Sequence, residues 1–346
     1  MKKVCIIVLA LVPLLLSCQR QEAERHSRQV LSFSISSPDV KSTYIPSSSL
    51  GSLPVYVSAT YKKEGVATPF LTNRTFSRGG DGKYHASPLV YWPLDGSLDF
   101  LAYAGTDDIL SGSGNPSIAW EANPSDGASI TFTNTKAADI DLLWATANRK
   151  EKSSGAVELD FHHALARLEL QVEVQAGSLN DGRLRLKSVT LETNPGDRLA
   201  LGGVFTIDNT RNVPTGTWSG LTTLSDYAFF TGQHITFSST GSTSLVGLLD
   251  GTARVARDGV AVPLVDMYVP RQANKNLVVT YSLNGKPDTV QSVNLVRGDW
   301  EMGKQYTYCL EFAPPLVQIT VRTVGQQKDD YYEEDSGDTF NYRWGE

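Results

Sequence analysis

Short runs in which apolar and polar residues alternate recur along most of the chain. Examples are "LPVYVSATY" (Leu53–Tyr61), "SITFTN" (Ser129–Asn134), "LRLKSVTLE" (Leu184–Glu192), "HITFSS" (His234–Ser239), "NLVVTYSL" (Asn276–Leu283) and "QSVNLV" (Gln291–Val296). A period of two puts every second side chain on one face of a strand, and clusters of Gly, Pro, Asn, Asp and Ser separate these runs. No long stretch holds a period of 3.6. The strongest helical candidate lies within "KAADIDLLWATANRK" (Lys136–Lys150), where Ile140, Leu143, Trp144 and Ala147 fit one face; the same stretch reads equally as loop followed by strand. "LNGKP" (Leu283–Pro287) carries Asn284-Gly285, a pair suited to the left-handed backbone of a tight hairpin. Many short strands punctuated by turns predict an all-β protein of sandwiches or barrels.

One stretch breaks the alternation. In "VELDFHHALARLELQV", Val157, Leu159 and Phe161 are apolar at odd positions, whereas Leu168, Leu170 and Val172 are apolar at even ones. A one-residue slip reverses every side chain in a strand, so the chain turns or changes sheet between His162 and Arg167. The Gly/Ser-rich "NRKEKSSGA" (Asn148–Ala156) lies just before. Together they place a domain boundary near the middle, giving units at 31–158 and 159–313 and an extension at 314–346. In that extension "PPLVQITVRTV" puts Val317, Ile319 and Val321 on one face, the acidic "QQKDDYYEEDSGD" reads as a solvated loop, and "TFNYRW" closes the chain as a further strand candidate.

The N-terminus changes the picture from fold to compartment. Lys2 and Lys3 precede an apolar run, Val4–Leu16, too short to span a bilayer comfortably and followed by Ser17-Cys18. Residues 1–17 therefore read as a signal peptide. Leu15-Leu16-Ser17-Cys18 resembles a bacterial lipobox, which implies a lipid on Cys18 and an outer-membrane lipoprotein. Residues 18–30 are polar and unpatterned, as in a flexible tether. Beyond the anchor only Cys309 remains, so no internal disulfide is available and stability rests on burial. Cys309 sits in the alternating "QYTYCLEF" and reads as a buried, inert thiol. A net charge of −6 argues against nucleic acid as a partner.

Chemistry is sparse. The sequence has no nucleophile elbow, zincin motif, phosphate loop or dinucleotide fingerprint. His162 and His163 are adjacent, but neighbouring strand residues face opposite ways, which disfavours one shared metal. Asp107, Asp108, Asp139 and Asp141 lack calcium-loop spacing. No catalytic residue, metal ligand or cofactor is assigned, and no enzymatic activity is expected. Paired carboxylates from separate strands leave a sandwich hydrolase as a remote alternative. Tyr91, Trp92, Phe100 and Tyr103, with Trp120 further on, offer a sugar-stacking platform for a surface glycan-binding protein; core packing is the commoner use of such a cluster.

Four separated blocks, in order, resemble the Bacteroidetes fimbrillin family with its Mfa-like members. They are "YWPLDGSLDFLAYAG" (Tyr91–Gly105), "DLLWATA" with "VELDFHHALARLEL" (Asp141–Leu170), "VDMYVPRQANKNLVVTY" (Val265–Tyr281) and "WEMGKQYTYCLEF" (Trp300–Phe312). The resemblance implies two transthyretin-like (Greek-key) β-sandwich domains in tandem and a role as a structural subunit of cell-surface fimbriae. It further implies strand exchange, in which an N-terminal strand is removed by a trypsin-like protease and a C-terminal strand of the next subunit replaces it. Partners would then be other fimbrial subunits, the outer membrane, and host or bacterial surface ligands. On this pattern "LSFSI" (Leu31–Ile35) is the leading strand, and Val317, Ile319 and Val321 or "TFNYRW" are donor candidates. Candidate processing sites are Arg25 and Arg28 before the leading strand, and Arg74 and Arg78 in what reads as a loop after it. Lys41 follows the strand directly but does not suit an arginine-specific protease. This departs from the pattern and leaves stalk, anchor and accessory roles open. Asp288-Thr289-Val290 resembles an O-glycosylation motif of the same phylum, with Thr289 as acceptor. The family's aligned histidine is His163, expected to pack at the junction between the two units.

Overall fold

The computed structural model describes residues 29–36, 53–105, 117–123, 127–133, 141–152, 155–179, 182–192, 198–208, 215–224, 227–232, 234–245, 248, 255–273, 275–295, 299–313, 319–327 and 339–340. Cys18, Arg25, Arg28, Lys41 and Val317 lie outside them, as does the side chain of Trp120.

Among the described residues every regular element is a strand. The first are β1 (Phe33–Ser36), β2 (Val55–Lys63), β3 (Val66–Arg78), β4 (Tyr84–Ala86), β5 (Ser97–Gly105), β6 (Ser117–Asn123) and β7 (Gly127–Thr133). Next come β8 (Leu142–Glu151), β9 (Val157–Asp160), β10 (His162–His163), β11 (Ala166–Val174), β12 (Arg183–Leu191), β13 (Leu199–Asp208) and β14 (Thr215–Leu224). Then follow β15 (Ala228–Phe230), β16 (Ile235–Ser238), β17 (Val255–Arg257), β18 (Val262–Val269), β19 (Gln272–Ala273) and β20 (Asn276–Leu283). The last are β21 (Thr289–Asn294), β22 (Asp299–Trp300), β23 (Gln305–Phe312), β24 (Ile319–Gln327) and β25 (Thr339–Phe340).

The protein is all-β, as the alternation predicts. Eight strands form one sheet in the order β10-β8-β5-β2-β3-β4-β1-β9. Its two end strands are separated in sequence by Phe161 alone, and the sheet curls until β9 lies alongside β8. Inside it packs a core that includes Leu31, Phe33, Val57, Phe76, Trp92, Phe100, Leu159 and Phe161. Two further sheets, β18-β11-β23-β24-β25 and β17-β16-β12-β20-β21, enclose a second and larger core. There the even-numbered Leu168, Leu170, Val172 and Val174 of β11 point inward. The register slip is thus real: β9 and β10 sit at opposite ends of the first sheet, and β11 belongs to another.

A fourth sheet, β14-β13-β7-β6, draws strands from both halves of the chain. Antiparallel pairing of β13 with β7 runs from Gly203–Phe132 to Asp208–Gly127. This sheet covers the outer face of β5 and β8, trapping Leu101, Tyr103, Leu142 and Trp144 against Ile130, Phe132, Phe205 and Ile207. The helical candidate at 136–150 is therefore a strand over its described part: Leu142–Glu151 is β8. Its first four residues are all buried, because one face fills the first core and the other this interface. A strand buried on both faces loses the alternation that marks a half-buried one, which is why its spacing mimics a helix.

Tight turns close several hairpins. Glu64 and Gly65 both have positive φ, +52° and +79°, and connect Lys63 directly to Val66. Asn284 and Gly285 do the same at +54° and +71°, with the Lys286 amide donating to the Leu283 carbonyl at 3.0 Å, as the Asn-Gly pair predicts.

Candidate functional site

The leading segment is an inserted strand. β1 lies between β4 and β9, and its pairing with β9 is parallel, in register from Phe33–Val157 to Ser36–Asp160. The alternation of "LSFSI" explains its seating, since Leu31 and Phe33 are fully buried, Ser34 is exposed and Ile35 is half-buried. The Phe33 ring meets Phe76 edge-on at 4.8 Å between centroids and Phe100 at 5.2 Å. Trp92 packs edge-on against Phe100 in turn, at 6.1 Å.

Backbone bonds hold the segment from both sides. The Leu31 amide donates to the Val90 carbonyl at 2.8 Å, and the Trp92 amide to the Gln29 carbonyl at 2.9 Å. On the opposite side the Val157 amide donates to the Ser32 carbonyl at 2.9 Å and the Phe161 amide to the Ser36 carbonyl at 3.0 Å. The connection from β4 to β5 thus serves as a short antiparallel neighbour for residues 29–31, while β9 serves residues 33–36.

The other sequence-derived candidates fall in several places. Arg74 and Arg78 are not in a loop: both lie inside β3, paired with Val57 and Tyr84 respectively. The exposed outer face of β3 is largely polar, and that composition makes the strand read as a loop. The Arg74 guanidinium also donates to the Pro88 carbonyl at 3.2 Å. Ile319 and Val321 sit in β24, which pairs antiparallel with β23 through Phe312–Ile319 and Leu310–Val321. In this chain they extend their own sheet. Phe340 of "TFNYRW" pairs with Val321 in β25, the outermost strand of that sheet. Thr289 is exposed at the start of β21, beside Asp288, which ion-pairs with Lys187.

The aromatic platform is not a surface feature. Among the described side chains of this cluster Trp92, Phe100 and Tyr103 are buried, and Tyr91 shows a substantial face at 39% exposure. Burial pushes the Tyr103 phenol up to about 12. Cys309 is a buried free thiol, 4.0 Å from the Glu173 carboxylate. Among the described residues no three His, Cys, Asp or Glu side chains converge as metal ligands.

The paired histidines divide in role. His163 Nδ1 lies 2.7 Å from the carboxylate of Asp141, a residue only 1% exposed that immediately precedes β8. His162 stacks obliquely on Trp144 at 5.5 Å, and both histidines are half-buried. Next to them the Trp218 indole of β14 donates to the Ala164 carbonyl at 2.6 Å. Sequence reasoning reaches His163 but not Asp141, because the partners are 22 residues apart. Gln272 is another residue that it misses. Its side-chain amide accepts from and donates to the backbone of Ala200, both at 2.9 Å, standing in for a strand neighbour of β13. Trp300, fully buried, donates its indole N–H to the Tyr308 hydroxyl at 2.9 Å. Trp92, His163, Gln272, Trp300 and Tyr308 all lie in the four resembling blocks. What those blocks encode is packing.

Among the described residues the chain is all-β, its leading segment is seated as a strand of the first sheet, and no set of metal-ligating side chains converges. The model of the Fimbrillin-like family matches residues 52–325, and the chain belongs to that family. It is a fimbrial or adhesion-related protein. The fold is similar to the crystal structure of a fimbrial protein from Bacteroides vulgatus, with a TM-score of 0.58 at 16% identity, covering 87% of this chain and 99% of that one. A protein assigned to cell adhesion from Bacteroides uniformis is more distantly similar, with a TM-score of 0.45 at 15% identity, covering 86% of this chain and 98% of that one. No curated protein matches the sequence significantly.

Proposed function

We propose that this chain is a non-enzymatic subunit of cell-surface fimbriae, carried to the outer membrane as a lipoprotein on Cys18 and assembled by strand exchange in support of adhesion. Residues 31–158 and 159–313 would form its two sandwich units. The observation that carries the reading is the insertion of β1 between β4 and β9. Withdrawal of the chain up to Ser36 leaves the Val157 and Phe161 amides unpaired and opens a slot floored by Phe76 and Phe100. An extended segment with apolar residues at alternate positions can restore both the backbone bonds and the core. Groove and donor are different patches, so the contact is heterologous and can propagate from subunit to subunit into a filament.

The same geometry constrains maturation. Cleavage at Arg25 or Arg28 leaves β1 seated, and cleavage at Arg74 or Arg78 cuts through a strand inside the sheet. Between Ser36 and Val55 the sole basic residue is Lys41, so a cut that opens the groove there requires a protease that accepts lysine rather than an arginine-specific one. For the donor, β24 is committed along β23 from Ile319 to Gln327 and lies inside its sheet, whereas β25 is the outermost strand and is the candidate to detach. Exposed Thr289 is the candidate glycan acceptor on the finished surface.

The test is the N-terminal residue of protein recovered from assembled fimbriae. A start beyond Ser36 is expected. Filaments built from chains that still begin at lipidated Cys18 and retain β1 would refute strand exchange while leaving the anchor in place.

A further inference from the structure

Strand directions fix which end of the first sheet receives the tether. β1 runs parallel to β9, and the segment before it runs antiparallel to residues 90–92, with Val30 opposite Tyr91 and Gln29 bonded to Trp92. Leu94 comes two residues after Trp92. The next residue, Asp95, bonds the Lys63 ammonium at 2.8 Å and the Tyr61 hydroxyl at 2.6 Å, at the tip of the β2–β3 hairpin. Ser97 starts β5 opposite both Lys62 and Glu151. Gln29, Leu94, the hairpin tip and the end of β8 therefore share one end of the sheet.

That end carries unusual apolar exposure. Leu94 is 83% exposed and Val66, the first residue after the hairpin turn, is 63% exposed. Tyr91 adds a partly exposed ring on the strand between Leu94 and the point where the leading segment pairs. Lys62 is matched with Asp99 at 2.5 Å and Lys63 with Asp95, and the end of β8 adds the exposed Arg149, Lys150 and Glu151. What distinguishes this end is its protruding aliphatic side chains, Leu94 above all.

The geometry points to this end as a membrane-contact surface: Leu94 and Val66 rest in the lipid interface and hold the anchored protein upright on its bilayer. The inference rests on the proposed lipid at Cys18. Eleven residue steps separate Cys18 from Gln29 and span at most about 40 Å, so an anchor confines this end, and not the opposite one, near the headgroups. At that confinement two aliphatic side chains suffice as a second attachment, since the tether replaces a bimolecular encounter by a local one.

The experiment uses the full chain, lipidated in cells and reconstituted into phosphatidylcholine vesicles. A fluorophore is placed at Leu94→Cys or, as a control, at Val290→Cys on β21, which is 65% exposed. Cys309 is buried and does not compete for label. Flotation with the vesicles reports the anchor. A quencher confined to the bilayer then reports the contact, and it is expected to quench the label at position 94 several-fold more than that at 290. Equal quenching of the two in chains that float overturns the contact and spares the anchor. Shielding of position 94 from both lipid-borne and aqueous quenchers overturns it too, and identifies a protein partner at this end. Failure to float refutes the anchor and the contact with it.

Discussion

Truncating Phe33 to alanine tests whether β1 is a separately removable element. The ring is fully buried and stands edge-on to Phe76 and Phe100. Burial of such a side chain stabilises by about 1.5–3 kcal/mol, and aromatic pairs add about 0.5–1.5 kcal/mol each. With a residual cavity, the expected loss is about 3–5 kcal/mol, the usual range for a buried phenylalanine. If β1 opens without the rest of the sheet, that loss falls on its opening equilibrium. Each 1.4 kcal/mol is a factor of ten, so opening rises by roughly two to three and a half orders of magnitude. The amides to watch are Val157 and Phe161, which donate to the carbonyls of Ser32 and Ser36. Native-state hydrogen exchange of F33A is expected to deprotect these two while amides between β11 and β23 keep their protection. Uniform loss of protection across both cores would mean that β1 leaves only on global unfolding. Unchanged exchange at Val157 and Phe161 would refute the seating argument itself.

The remaining predictions concern stability. His163→Ala strands the buried Asp141 carboxylate and is expected to cost about 1–3 kcal/mol in denaturant unfolding, whereas His162→Ala costs less; equal effects would contradict the division of roles. Gly96→Ala is expected to lower the melting temperature, since its φ is +74° and a Cβ would lie 2.5 Å from the Tyr61 ring and 2.8 Å from the Lys62 carbonyl oxygen. Burial raises the Tyr103 and Tyr227 phenols to about 12 and that of Tyr308 higher still. An unfolded tyrosine ionises near 10, so stability is full below about pH 10 and declines as pH rises from there through 12; a flat alkaline profile in chemical unfolding would contradict it. Ending the chain at Gln327 is expected to leave the melting of the second core nearly unchanged, and ending it at Phe312 to lower it, because the latter strips β24 from β23.

Most strands that bury one face are visible in the sequence, because alternation is the direct imprint of a single buried face. "NLVVTYSL" and "LRLKSVTLE" become β20 and β12, with Leu277, Val279 and Tyr281 and then Leu184, Leu186, Val189 and Leu191 inward. Where both faces are covered, as in β8, the imprint vanishes. Where one face is polar and the other only half-covered, as in β3, it fades enough for Arg74 and Arg78 to read as loop. The alternation of "LSFSI" is legible in the sequence and its part as a leading strand only through the family pattern, whereas its place between β4 and β9 is legible in neither. Asp141 beneath His163 and Gln272 beside Ala200 were not legible, since each answers a polar group that is distant in sequence. Sheet membership across the two halves is of the same kind: nothing local in "SITFT" announces a partner more than seventy residues later.

That shared sheet governs the order of assembly. A chain that folds as it emerges can complete neither the outer face of β5 and β8 nor the edge of β7 until Leu199–Asp208 has arrived. The first sheet likewise awaits β9 before β1 has its parallel neighbour. Two long loop closures must therefore be made before either half gains its full reward, which predicts slow maturation and prolonged exposure of unpaired strand edges. Such delay is a window in which foreign strands compete with the chain's own for those edges. The longer the nascent halves wait for one another, the more the cell depends on keeping newly made chains apart.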